Sequence, residues 1–213
     1  MSMTPMALPK ARWGYRMELT GVGEIYDLLV YDALYDAFHG YHMGVTAENI
    51  AKLYNISRED QDRLAVLSHA RALQGIKDGL FTEEIVPISV RAGRQEVLFA
   101  QDERPMETSM EKMAKLKPAF AKDGSVTAGN ASGINDGAAA VLLMSAAKAK
   151  QMGLKPLVTI ESFASGGMDP AYMGLGPVPA IQKALKQSGK TIADMDMIEL
   201  NEAFAAQAIG CML

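Results

Sequence analysis

The amino-acid sequence predicts an α/β protein whose first part is richer in helix than its second part. In the second part, apolar runs at 138–144 and 157–163 alternate with segments that carry helix start and stop signals. Alternation of strands and helices along a chain is typical of layered α/β domains. In the first part, apolar residues at helical spacing dominate residues 57–79, and only short strand-like segments follow.

The composition of the 213-residue chain excludes several classes of protein. Hydrophobic residues make up 49% of the sequence, which is too many for intrinsic disorder. No apolar run reaches the roughly 18 residues of a membrane-spanning helix, so we expect no membrane partner. The net charge of −4 gives no reason to expect nucleic acid. The only cysteine, Cys211, allows no internal disulfide and is compatible with the cytoplasm, which is the location we expect.

Local signals in the first part predict several short elements in turn. Residues 24–38 fit a helix or a strand, and that choice stays open. Thr46 predicts the cap of a short helix through Tyr54, because its hydroxyl can accept from free backbone N–H groups. Ser57 opens a capping-box variant that predicts a long helix ending near Gly79.

The remaining elements follow from alternation, capping residues and the placement of proline and glycine. Pro177 is typical of a first helical turn and Gly189 of a helix end. Strands are predicted at 85–90, 96–100, 138–144, 157–163 and 197–200, helices at 110–117, 146–152, 177–188 and from Asn201 onward, and a turn at 191–194.

Candidate sites for metals and cofactors are weak on spacing alone. His39 and His42 lie three residues apart near Asp32 and Asp36, but two histidines among scattered acids occur often by chance. We expect no metal site. Residues 21–23 lack the third glycine of a dinucleotide-binding fingerprint, so we expect no such cofactor.

Two candidate nucleophiles are also weak. Ser132 lies in GNASG, which is not the Gly-x-Ser-x-Gly elbow, and its spacing indicates a turn serine. Cys211 lies near the end of an alanine-rich segment with no histidine beside it in sequence. A cysteine in that setting is more often a small buried hydrophobic residue than a thiolate.

Four segments in order resemble the thiolase family. Residues 40–49 (GYHMGVTAEN) are similar to its YHMG-x-TAEN segment, and residues 119–138, which include TAGNASG and NDGA, to its PAF…TAGNASG-x-NDGA stretch. Residues 173–180 (MGLGPVPA) and 201–207 (NEAFAAQ) match two further family signatures. The resemblance covers nearly the whole chain and is strongest to the biosynthetic type.

The resemblance implies a fold made of two similar α/β halves, with an inserted loop domain that binds coenzyme A (CoA). On this basis we expect a partial thiolase fold, with layered α/β pieces around a helix-rich α+β insertion. The expected boundaries are the end of the first half at 1–15, the CoA-binding loop domain at 16–133, the last strand and helix of the first half at 134–154, and the start of the C-terminal half at 155–213.

The family reaction joins two acetyl-CoA molecules into acetoacetyl-CoA and CoA, or runs in reverse as thiolysis. One cysteine takes the acetyl group, and a second cysteine removes the α-proton of the incoming acetyl-CoA. The resemblance implies that Asn201 holds a water in the oxyanion hole, where a fixed amide orients a donor toward developing charge. The CoA thioester is the substrate, and no separate cofactor is expected.

The resemblance also places CoA contacts in this sequence. His42 and Met43 match residues at the acyl and pantetheine end, and Ser132 matches a serine that contacts the pantetheine. Arg104 lies near a family position at the nucleotide end, although the local spacing differs by about one residue. The apolar pocket positions are Leu34, Phe120 and Ala128.

The departures from the family pattern limit the expected activity. Its nucleophilic cysteine would precede these residues, and its GHP histidine and C-x-GGGQG cysteine would follow them, while Cys211 matches no catalytic position. We therefore expect the central piece of a thiolase, inactive by itself. The alternative is a non-catalytic CoA-binding or assembly fragment of a split or truncated thiolase. Full-length relatives form homotetramers, and a complementing thiolase chain is an expected partner.

Overall fold

A computed structural model describes residues 5–8 and 24–213 of the chain. The expected domain piece at 1–15 lies outside the described residues apart from 5–8, and the glycines at 21–23 lie outside them as well. The chain divides into two compact units: Met1–Thr46 with Ile134–Leu200, and Ala47–Gly133 with Asn201–Leu213. Below, "the first unit" means the described residues of the former, and "the second unit" means the latter. The predicted domain boundaries remain a prediction.

Six strands and six α-helices are described. The strands are β1 (Met6–Ala7), β2 (Tyr26–Asp27), β3 (Tyr35–Asp36), β4 (Tyr41–His42), β5 (Ile88–Ala92) and β6 (Gln95–Phe99). The helices are α1 (Met43–Leu53), α2 (Arg58–Lys77), α3 (Met110–Ala114), α4 (Ala146–Gln151), α5 (Pro177–Ser188) and α6 (Ala205–Met212). The strands form three antiparallel pairs, β1 with β2, β3 with β4, and β5 with β6. No described helix has the length and apolar character needed to cross a membrane.

Capping residues place several helix ends where the sequence predicts them. The Ser57 hydroxyl accepts from Asp60 N over 3.0 Å at the start of α2. Helix α5 begins at Pro177 and ends at Gly189, whose φ of 70° closes the helix in the left-handed conformation. The predicted turn at 191–194 is a single 3₁₀ turn with a complete capping box. These helix ends are confirmed because they depend on neighbours in sequence.

The predicted start of the first helix is wrong by four residues, because the cap is His42 and not Thr46. Helix α1 begins at Met43, and Thr46 lies inside it with its hydroxyl donating to Met43 O over 2.6 Å. The cap is His42 instead, since its Nδ1 accepts from Gly44 N over 3.0 Å. A threonine hydroxyl that donates to a carbonyl of the preceding turn lies inside the helix, and it does not cap the free N–H groups at the helix start.

Residues 24–38, where helix and strand were both open, contain both kinds of structure. Strand β2 is followed by a short π-helix, Leu29–Leu34, and then by β3. Strand β3 pairs with β4 so that Tyr35 lies opposite His42. Because each element is so short, neither periodicity extends far enough to dominate the sequence pattern.

The predicted strands at 138–144, 157–163 and 197–200 are wrong. None of these segments of the first unit pairs with another described segment as a strand. Their apolar side chains are exposed except for the half-buried Leu200, and Leu157 reaches 99% relative exposure. A strand requires a hydrogen-bonded neighbour, and an apolar run of strand length does not by itself supply one.

The interior of the second unit combines apolar and charged side chains. Ile50 and Val126 are fully buried, and Met113 is buried in the same unit. Glu48 and Asp62 are also buried, with relative exposures of 2% each. Buried carboxylates are costly unless they are paired or hydrogen-bonded, so their partners define the local structure.

Glu48, on α1, satisfies the backbone of a distant loop. Its Oε1 and Oε2 accept from Ser125 N over 3.0 and 2.9 Å, and Oε1 also accepts from Val126 N over 2.9 Å. Close approach of the carboxylate requires glycine at position 124, because a Cβ there would lie 2.1 Å from Glu48 Oε1. The carboxylate therefore acts as a structural bridge between α1 and residues 125–126.

We predict that Glu48→Gln lowers the free energy of unfolding by about 2–4 kcal/mol, because a neutral amide cannot replace charge-assisted bonds from several donors. Urea denaturation followed by circular dichroism measures the change. The matched control is Glu59→Gln on α2, an exposed carboxylate 2.9 Å from Arg63 Nη2, which should change stability by no more than about 0.5 kcal/mol. Equal effects of the two substitutions would contradict the prediction.

Candidate functional site

The loop at 127–133 carries two of the predicted CoA contacts. Thr127 and Asn130 are buried, whereas Ala128 and Ser132 are exposed. Thr127 N donates to Asn130 Oδ1 over 2.8 Å, which closes the loop on itself. The loop thus buries the polar side chains of Thr127 and Asn130 and exposes the predicted contact residues Ala128 and Ser132.

Asn201 lies on a segment that pairs with this loop. Ser132 N donates to Ala203 O over 2.9 Å, and Ala131 forms an antiparallel bridge with Phe204. The expectation of helix from Asn201 onward is therefore wrong at its start, since α6 begins at Ala205. Backbone pairing holds Ala203 and Phe204 against the loop, with Phe204 extended. The exposed Asn201 and Ser132 are carried by these neighbouring segments.

Phe120 lies against the same segment. Its ring meets Phe204 edge to face, with centroids 5.8 Å apart and planes at 87°. This arrangement matches the electrostatic preference of aromatic rings. The structure therefore brings the predicted apolar contact Phe120 to the segment that carries Asn201, through the ring of Phe204.

Arg104 lies against the backbone beside Ser132. A Cβ at Gly133 would come within 2.1 Å of Arg104 Nη2 and 2.2 Å of Cζ, so the guanidinium occupies the space above that glycine. The side chain is exposed and forms no ion pair with any described residue. A guanidinium without a carboxylate partner is suited to bind an anion such as a phosphate group.

The other three predicted contacts come from one hairpin of the first unit. Leu34 directly precedes β3, His42 ends β4, and Met43 opens α1. Burial lowers the pKa of His42 below its ordinary value. The neutral imidazole also suits its capping bond, because Nδ1 must be unprotonated to accept from Gly44 N.

The candidate metal ligands His39 and Asp36 bond to each other in the hairpin turn. His39 Nδ1 lies 2.6 Å from Asp36 Oδ2, and Asp36 also accepts from the backbone amides of Phe38 and His39. Within residues 5–8 and 24–213, no three His, Cys, Asp or Glu side chains are grouped as metal ligands are.

Cys211 lies on the last turn of α6 and is half-buried. Its Sγ lies 3.5 Å from Gln207 Nε2, which donates to it. Burial raises the pKa of the Cys211 thiol, and the bond from Gln207 opposes that change only in part. The thiol is therefore protonated near neutral pH, whereas a nucleophile requires the thiolate.

Sequence reasoning missed the polar residues that hold these segments in place. Asn130 lies within the TAGNASG motif, Glu48 within the TAEN segment and Asp62 within the predicted helix that follows Ser57. Their buried bonds reach partners 68 and 77 residues away in sequence. A helical pattern gives no signal for such distant partners. The one signal in the sequence is that Asn130 follows Gly129 within a family motif.

Known protein families and relatives match this chain over nearly its whole length. The family model described as the thiolase N-terminal domain matches residues 1–147, and the thiolase C-terminal domain model matches residues 154–213. The acetyl-CoA acetyltransferases of Syntrophomonas wolfei and Escherichia coli are each 54% identical over 99% of this chain. The chain spans about half the length of these relatives, 53% in both cases.

Solved structures agree with the sequence relatives. The Bacillus anthracis acetyl-CoA acetyltransferase superposes with a TM-score of 0.88 at 49% identity, covering 97% of this chain and 52% of that one. Human mitochondrial 3-ketoacyl-CoA thiolase gives a TM-score of 0.88 at 40% identity, covering 99% and 52%. The predicted partial α/β thiolase fold is confirmed, and the chain belongs to the thiolase family.

Proposed function

We propose that this chain contributes to acyl-CoA C-acetyltransferase chemistry, the condensation of two acetyl-CoA molecules to acetoacetyl-CoA and CoA, or the reverse thiolysis. The observation that carries the proposal is the pairing of the Ser132 loop with the Asn201 segment. It supports a CoA-contact loop next to an oxyanion-hole asparagine. The names of relatives that are 54% identical, acetyl-CoA acetyltransferase, support the substrate.

In the proposed reaction, Asn201 acts on charge that develops on the thioester oxygen. Loss of an α-proton from acetyl-CoA places negative charge on that oxygen, and a donor held in position lowers the energy of this state without reorganising. The exposed amide of Asn201 holds the donating water. The backbone pairing at Ala203 and Phe204 supports this role, because it restricts the segment before the charge develops.

Each part of the CoA thioester is proposed to meet residues of matching chemistry. Ser132 and Ala128 meet the pantetheine arm, and Phe120 and Leu34 supply apolar surface. The unpaired guanidinium of Arg104 meets the phosphate-bearing end. His42 and Met43 lie toward the acyl group, where a neutral imidazole fits an uncharged thioester. No cofactor besides the CoA thioester takes part in this proposal.

The same proposal assigns no nucleophile to this chain. The only cysteine is Cys211, and its half-buried, protonated thiol is unsuited to attack a thioester. Acetyl transfer and α-proton removal in the family require two cysteines. We further propose a cytoplasmic location, which the single cysteine supports, and the homotetrameric assembly of full-length relatives for the complete enzyme.

We predict that the purified 213-residue chain releases no acetyl-CoA from acetoacetyl-CoA and CoA. The reason is the absence of a reactive thiolate. The measurement is product release followed by chromatography, with the Escherichia coli relative assayed in parallel as the positive control. Turnover by the unchanged chain would contradict the proposal that the chain has no nucleophile. If Cys211→Ala abolished that turnover, Cys211 would be the nucleophile, and if turnover persisted, another residue would be.

We also predict that the chain binds CoA through Arg104 and Ser132. Arg104→Ala should weaken CoA binding about three- to tenfold and leave pantetheine binding unchanged, because pantetheine lacks the nucleotide phosphates. Ser132→Ala should weaken both ligands. Isothermal titration calorimetry measures the affinities, with Arg94→Ala in the exposed β5–β6 turn as the matched control.

Two results would contradict this prediction. Absence of binding heat at millimolar CoA would remove the CoA site from the chain. An equal loss of CoA affinity in Arg104→Ala and Arg94→Ala would show that only the overall positive charge matters.

A second candidate function is assembly with a complementary thiolase polypeptide. The exposed apolar segments of the first unit at 138–144 and 157–163 favour it, because contiguous exposed apolar surface marks interaction sites. Their unpaired backbone is suited to hydrogen bonding with strands from another chain.

We predict that the chain co-purifies with the parts of the Escherichia coli relative that the match does not cover, when both are expressed together, and that the complex gains thiolase activity. Leu157→Asp should reduce co-purification without unfolding the chain, since Leu157 is 99% exposed. Leu80→Asp, on an exposed side chain of the second unit, is the control. If the chain is a monodisperse monomer that does not co-purify with the complementary parts, this function is ruled out.

A further inference from the structure

We propose that Asn130 is a positioning residue, which through Asp62 fixes the CoA-contact loop against the segment that carries Asn201. The inference rests on the proposed function, because it concerns the alignment of that same site. Asn130 itself is 3% exposed and turned away from the surface that carries Ala128 and Ser132. It acts through the backbone and not by touching substrate.

Every polar group of the Asn130 side chain is used. Oδ1 accepts from Thr127 N over 2.8 Å, and Nδ2 donates to Asp62 Oδ1 over 2.8 Å and to Ser125 O over 3.1 Å. The donors and the acceptor therefore point in different, fixed directions. Only an amide offers both an acceptor and two donors on one short side chain.

The backbone of Asn130 extends this network to the second segment. Its carbonyl accepts from Ala205 N over 2.9 Å, at the first residue of α6. Two residues further on, Ser132 N donates to Ala203 O over 2.9 Å. A rotation of Asn130 would disturb both bonds together, and these bonds set the register between Ser132 and Asn201.

Asp62 is the fixed point to which Asn130 is bound. Its second oxygen, Oδ2, accepts from Arg58 Nε over 2.8 Å on the same helix. Arg58 is held in turn, because its Nη2 donates to Met113 O over 2.6 Å and to Leu116 O over 3.1 Å. Each Asp62 oxygen thus has an assigned donor, and the side chain is oriented before it meets Asn130.

The arrangement predicts which substitutions break it. Asn130→Asp removes the donor and places a second carboxylate against buried Asp62, where like charges repel strongly. The double variant Asp62→Asn with Asn130→Asp exchanges donor and acceptor, so the bond between the two positions forms again. The exchange does not restore the bond to Ser125 O, and recovery is therefore expected to be incomplete.

The test measures CoA affinity by calorimetry and backbone hydrogen exchange by mass spectrometry, well below the melting temperature of each variant. Asn130→Asp should weaken CoA binding about tenfold or more, and the double variant should recover most of that loss. Exchange in Asn130→Asp should rise at Ser132 and Ala205 and stay unchanged in the middle of α2. Asn135→Asp, on an exposed asparagine, is the control for the added charge.

A purely structural role would give a different pattern. If Asn130→Asp raised exchange evenly through α2 as well as the loop, or if its CoA affinity equalled that of the unchanged chain, the positioning role would be overturned. Should Asn130→Asp fail to fold, Asp62→Asn alone provides the milder test, because its single carbonyl can accept from Asn130 or from Arg58 but not from both. Exchange at Ser132 and Ala205 should then rise above that in the unchanged chain, and unchanged exchange there would overturn the positioning role. If the unchanged chain binds no CoA, the proposed function fails, and the exchange pattern still decides the positioning role.

Discussion

The second unit depends on the buried carboxylate of Glu48. It accepts from the backbone amides of Ser125 and Val126 and from the Ser125 hydroxyl at 3.1 Å. These bonds fix the residues that enter the loop at 127–133, and Val126 and Thr127 are fully buried immediately after them. The Glu48 carboxylate therefore links helix α1 to the candidate binding loop and supports that loop.

A chain of polar contacts continues from this support to the candidate site. Gln61 Nε2 donates to Ser125 Oγ over 2.9 Å, next to the Glu48 bonds, and Asp62 follows with its bond to Asn130. The unit thus uses the first turns of α2 as an anchor for the loop, and Gln61 and Asp62 are themselves buried from water. Low local polarity strengthens each bond and makes each unpaired group costly, so the network favours one arrangement.

Sequence patterns predicted local structure better than structure that depends on distant partners. Ser57, Pro177 and Gly189 act on their nearest neighbours, and the helix ends that they predict are confirmed. The run at 138–144 has the composition of a buried strand, but strand formation requires hydrogen bonds to another segment, which no local pattern can report. At the candidate site, family motifs predict roles for the exposed residues Ser132 and Asn201, and these roles remain predictions. The buried residues Asp62 and Glu48 carry no local signal of their distant partners.

The close approach at Gly124 limits which residues can occupy positions 48 and 124 together. Glu48 Oε1 would lie 2.1 Å from a Cβ at position 124, so a larger residue there is incompatible with a glutamate at position 48. A shorter acid at position 48 would leave room for that side chain and would withdraw the carboxylate from the Ser125 and Val126 amides. Positions 48 and 124 are thus sterically coupled, although 76 residues separate them in sequence. A side chain larger than glycine at position 124 requires a different residue at position 48 or a different path of the loop.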